Sequence, residues 1–132
     1  MIGLDTNIVV RFLTQDDAAQ SPIATRVMSR LTRGNPGFIG AVVLAEITWV
    51  LSRAYRISRE DIARAVEGLL RSAELIVENS EAAYRALAVY RASTNVDFAD
   101  ALIAQAAALA GAAETVTFDH RAAAEGGMRL LR

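Results

Sequence analysis

The chain opens MIGLDTNIVVRFL (residues 1–13), and this stretch decides the fold. Met1, Ile2, Gly3 and Leu4 form a short β-like run that ends at Asp5. Residues 6–13 then carry apolar side chains at helical spacing. The same strand-then-helix order recurs down the chain. Residues 38–39 read as a second short strand, followed by a strongly apolar helix over 42–55. Residues 75–77 read as a third, with Ser80 opening a helix over 80–92. A helix over 95–110 is expected to end at Gly111 as its C′ residue. Residues 115–118 and 128–131 read as the fourth and fifth strands.

Two more helices follow from capping signals. Ser21-Pro22 predicts a start, with serine as N-cap and proline at the first helical position. That helix is expected to reach Arg33 and stop at Gly34-Asn35-Pro36-Gly37. Ser58-Arg59-Glu60-Asp61 resembles a capping box with aspartate at its acidic position, opening a helix that reaches Ser72. Strands separated by helices predict a parallel sheet covered on both faces. The expectation is one α/β domain over residues 1–132, with no internal repeat, low-complexity tract or linker.

Composition narrows the chemistry. The 132 residues are 53% hydrophobic and 22% charged, which describes a chain able to build a core. There is no cysteine, which removes disulfides, zinc-thiolate sites and thiol nucleophiles. The opening residues lack the basic region and long apolar run of a signal peptide. No apolar stretch approaches the roughly 18 residues of a membrane span. A soluble, cytoplasmic protein with no membrane association is therefore expected. Net charge is −1, so bulk charge does not point to nucleic acid. Setting four clustered acids aside around a cation would leave the remainder net positive, and every basic side chain is arginine. Arginine suits bidentate contact with phosphate, but an all-arginine, alanine-rich chain reads first as biased codon usage.

In open parallel sheets ligands bind beyond the carboxyl ends of the strands. Asp5 follows the first strand and Asp119 the fourth, while Glu46 and Asp100 lie on helices after the second strand and before the fourth. All four can thus converge on one rim. Each also has a purely structural reading. Asp5 can cap the following helix, Asp119 can be a turn residue, and Asp97 with Asp100 can be a cap and a first-turn acid. Glu46 differs, because it sits in VVLAEITWVL (residues 42–51) with almost no polar company. A lone carboxylate there needs a cation, a hydrogen-bond partner or a route to solvent. Oxygen ligands without thiols or clustered histidines suit Mg²⁺ or Mn²⁺, and such ions support phosphodiester hydrolysis.

Taken in order, Met1-Ile2-Gly3-Leu4-Asp5-Thr6-Asn7, Leu44-Ala45-Glu46-Ile47 with Leu51, Asp97-Phe98-Ala99-Asp100-Ala101-Leu102-Ile103-Ala104 and Val116-Thr117-Phe118-Asp119 resemble a PIN-domain protein. The resemblance is greatest to the VapC-type toxins of bacterial toxin–antitoxin pairs. It implies a three-layer α/β/α sandwich around a central, mainly parallel sheet of about five short strands. It also implies an Mg²⁺- or Mn²⁺-dependent endoribonuclease in which metal-activated water attacks the RNA phosphodiester. By that analogy Asp5 and Asp100 are the principal metal ligands, and Glu46 and Asp119 complete the catalytic site. Asn7 and Thr117 support it, and Asp97 either joins it or only caps its helix. Family members of this kind commonly form homodimers and are inhibited by a small cognate antitoxin. Leu69-Leu70 and residues 84–90 could supply such an interface or belong to the core.

Several other residues carry a functional and a structural reading together. Arg11, one turn after Asn7, can reach a substrate phosphate or pair with nearby acids. Trp49 reads as core before it reads as a base-stacking platform, and His120 as a surface residue after a turn. A receiver domain or an aspartate-nucleophile phosphatase would need a lysine, and this chain has none. The remaining alternative is a non-catalytic PIN-like module that binds RNA or protein.

Overall fold

The computed structural model describes residues 1–132 as a mixed α/β protein of five short strands and seven helices. It comprises two compact units, Met1–Glu78 and Asn79–Arg132. Every strand pairing within them is parallel, as the alternation of strands and helices required. None of the helices is long and apolar enough to cross a membrane.

The first unit runs β1 (Ile2–Gly3), α1 (Thr6–Thr14), α2 (Gln20–Ser29), β2 (Gly37–Ile39), α3 (Ala41–Arg53), α4 (Arg59–Arg71) and β3 (Leu75–Val77). Its strands lie in the order β1-β2-β3, with Ile2 opposite Gly37 and Phe38 opposite Ile76. Its core gathers Leu4, Val9, Val10, Ile39, Leu44, Ile47, Ile62 and Val66. Gly37, in the central strand, has a structural reason to be glycine. A Cβ there would stand 2.8 Å from Leu4 and 2.9 Å from Leu31, closer than packed atoms tolerate.

Local chemistry explains where these helices begin and end. Ser58 caps α4 by accepting the Asp61 N–H at 3.2 Å, as its motif predicts. The Asp61 carboxylate pairs with Arg64 one turn on. The start of α2 differs from the sequence expectation. Ser21 lies inside the helix, buried, and its hydroxyl accepts the Asp17 N–H. Asp17 does the capping, its Oδ1 accepting the N–H groups of Ala19 at 2.9 Å and Gln20 at 2.7 Å. The helix also stops at Ser29 rather than Arg33. A tighter turn at Arg30 and Leu31 carries Leu31 into the core, and a Thr32–Asn35 backbone pair closes the loop.

The second unit runs α5 (Ser80–Ala92), α6 (Phe98–Leu109), β4 (Val116–Thr117), α7 (His120–Glu125) and β5 (Arg129–Leu130). Alanines 82, 83 and 86 on α5 are fully buried, and such small side chains let helix backbones approach closely. Tyr90 meets Phe98 edge to face, ring centroids 5.9 Å apart. The end of α6 is a Schellman motif: Gly111 has φ of +101°, its N–H reaches the Ala108 carbonyl, and the Ala112 N–H reaches that of Ala107. This helix begins three residues later than expected, because Asp97 is extended and serves as its N-cap, with Val96 buried just before it. Strands β4 and β5 pair with Val116 opposite Arg129. The five expected strands are therefore present, paired as a set of three and a set of two. The short helix α7 was not expected.

Candidate active site

Asp5 stands two positions beyond the end of β1 in extended conformation and caps α1, its Oδ1 accepting the Thr6 N–H at 2.9 Å. The Thr6 hydroxyl donates in turn to Glu46 Oε1 on α3 at 2.7 Å. One buried threonine thus binds both candidate site acids of this unit, Asp5 through its backbone and Glu46 through its side chain. Sequence reasoning overlooked Thr6. The only available signal was a hydroxyl residue next to a strand-end aspartate, and its partner lies forty positions away. Asn7 follows on α1 with its side chain exposed.

Glu46 is exposed, so of the three provisions a lone carboxylate there needs, it has both a route to solvent and a hydrogen-bond partner in Thr6. The same face of α3 exposes Val42 and Trp49, the latter 58% accessible, and Trp49 is not a core residue. An almost uniformly apolar helix hides which stripe faces solvent; here the inward stripe is Leu44, Ile47, Thr48 and Leu51. Arg11 is taken up by neighbours. Its guanidinium donates to Asp16 at 3.1 and 3.2 Å, to Gln20 at 2.9 Å and to the Tyr55 hydroxyl at 2.7 Å. Hydrogen bonds from Thr14, Tyr55 and Arg11 hold the Asp16 carboxyl down at about 2. Contact with a phosphate would require this network to open.

In the second unit Asp100 sits in the first turn of α6, with Asp97 at the N-cap. Partial burial raises the Asp100 carboxyl above its ordinary range, and the neighbouring charges of Asp97 and Asp119 raise it further. Asp119 follows β4 and caps α7, with Oδ1 accepting the N–H groups of Arg121 at 2.8 Å and Ala122 at 3.1 Å. The Thr117 hydroxyl accepts the Asp119 N–H at 2.9 Å and fixes that turn. Both structural and site readings of Asp119 therefore concern the same carboxylate. His120 is exposed at the start of α7. Leu69, Leu87 and Tyr90 are core, while Tyr84 is 44% exposed.

Within either unit, no three acidic or histidine side chains gather closely enough to hold a metal ion by themselves. The donor chemistry nevertheless fits a hard divalent cation. Every donor is a carboxylate, hydroxyl or amide oxygen, and the like charges around Asp100 are of the kind a cation relieves.

Parallel strands carrying acids just beyond their carboxyl ends define an α/β protein equipped for carboxylate or metal chemistry. The PIN domain family model matches residues 2–125, and the chain belongs to the PIN domain family. No curated protein and no solved structure matches it significantly. PIN domains are generally nuclease modules that use divalent metals.

Proposed function

We propose that the protein is a single-domain, Mg²⁺- or Mn²⁺-dependent endoribonuclease, and that it acts as the toxin of a toxin–antitoxin pair. The observation that carries this reading is the family match across residues 2–125, together with acids two positions beyond the ends of β1 and β4. Asp5 and Asp100 are the principal metal ligands, and Glu46 and Asp119 complete the set. Partial burial of Asp100 and the charges of Asp97 and Asp119 support a cation-binding role, since both disfavour its ionised carboxylate and a cation would favour it. Thr6 orients Asp5 and Glu46, and Thr117 orients Asp119. Asn7 contributes a polar side chain beside Asp5, and Asp97 contributes charge.

A bound divalent ion supplies activation of water and neutralisation of the phosphodiester. The chain's own part is to present carboxylate oxygens in fixed directions, and no side chain serves as a covalent nucleophile. A homodimer and inhibition by a small cognate antitoxin complete the proposal, supported by the resemblance of the ordered acidic segments to VapC-type toxins. The test is incubation of purified protein with total cellular RNA and Mn²⁺, with and without chelator, with fragment ends mapped. Shortened RNA that requires metal and disappears in D5N and D100N is the expected result. Intact RNA throughout would leave a non-catalytic binding module and overturn the nuclease assignment.

A further inference from the structure

The exposed face of α3 lays out Val42, Glu46, Trp49 and Arg53 at intervals of three and four residues, which puts them in one stripe. Along the axis Glu46 and Trp49 are about 4.5 Å apart, and Trp49 and Arg53 about 6 Å. Val42 is 75% exposed and Trp49 58%. Two large apolar groups thus stand in water on the face that carries the hydrogen-bonded Glu46 carboxylate. Arg53 is exposed, and so is Arg56, which follows just beyond the helix. Both stand outside the ion pairs that occupy Arg11, Arg64, Arg85 and Arg129. An indole with a free guanidinium one turn away matches a nucleobase and the phosphate beside it.

We propose that this stripe is the binding path for single-stranded RNA: Trp49 stacks an unpaired base next to Glu46, and Arg53 takes a flanking phosphate. The inference deepens the nuclease reading and rests on it. Trp49 and Arg53 would act only on unpaired RNA, because a base already stacked in a duplex cannot lie on the indole.

Trp49 is the chain's only tryptophan, so its emission reports on the stripe alone. The probe is a single-stranded oligoribonucleotide titrated into D5N, which leaves the RNA uncut. Saturable quenching of Trp49 is expected, with none from a duplex of the same sequence. In a labelled-RNA assay W49A should weaken binding roughly 5- to 100-fold. R53A should weaken it and reduce the salt slope by about 1. Since Trp49 is exposed, W49A should keep the wild-type melting curve. Unchanged emission at saturating RNA, or wild-type affinity in W49A, would overturn the proposal. So would emission that follows protein concentration rather than RNA, with W49A dissociating a dimer, which would make a second copy the occupant. Cleavage with a silent Trp49 removes this inference only, whereas neither cleavage nor binding removes the nuclease reading as well.

Discussion

Asp119 is assigned both a structural and a functional task, and two substitutions separate them. Its Oδ1 accepts two N–H groups at the start of α7, at 2.8 and 3.1 Å. Alanine removes that acceptor and should cost about 1 kcal/mol, the usual loss for a helix N-cap. For a chain of this size that corresponds to a fall of roughly 3–5 °C in Tm. Asparagine keeps an oxygen in the same place and caps as well as aspartate, so D119N should retain the fold. It also removes one of the two charges that raise the Asp100 carboxyl, a slightly stabilising change. Activity should not follow this order. If the charge of Asp119 serves the metal site, D119N and D119A should lose cleavage alike, by roughly 10- to 100-fold or more. Thermal denaturation in chelator, set beside single-turnover cleavage of a labelled RNA, reads both quantities. D119N with wild-type activity would refute the site assignment, and D119A with wild-type Tm would refute the capping argument.

Replacing Thr6 with valine removes the 2.7 Å hydrogen bond to Glu46 while keeping the buried volume nearly constant. Water can solvate the exposed Glu46, so stability should fall by less than about 1 kcal/mol. Cleavage should drop roughly tenfold or more and return in T6S; equal defects in T6V and T6S would refute a positioning role for the hydroxyl. D100N should abolish cleavage yet melt at a higher temperature than wild type in chelator at neutral pH, since asparagine carries no charge to be desolvated or repelled there. The sign follows from the raised carboxyl. Folded Asp100 holds its proton more tightly than unfolded Asp100, so the destabilisation is absent below the ordinary carboxylate value of about 3.9. It grows as pH rises through the folded value and persists above it. The Tm difference should therefore close in acid, and a gap that widened there would reverse the argument. Mg²⁺ or Mn²⁺ should raise the wild-type Tm, by about 2.7 kcal/mol of stability at 100 times Kd, and have little effect on D100N.

What the sequence disclosed, and what it concealed, divides by the range of the interactions. Ser58, Ser80, Gly111 and strand β3 were all legible, because their signals lie within a few residues of the structure they produce. Ser21-Pro22 misled for a related reason. Two local capping signals competed, and Asp17 claimed the free N–H groups one turn earlier. Helix α7 escaped notice because six residues with three consecutive alanines offer no amphipathic pattern, and its clearest mark is the Asp119 cap, read as a turn. Glu46 is the instructive case. It drew attention as a carboxylate among apolar neighbours, yet those neighbours divide between a buried stripe and an exposed one, and Glu46 belongs to the exposed one. Its distinguishing feature is instead the hydroxyl of Thr6, a partner from the far end of the unit that no pattern around residue 46 could announce. The same division exposes Trp49. Order along the chain therefore nominates the candidate acids, but only tertiary pairing tells which of them are held, by what atom, and beside which open surface.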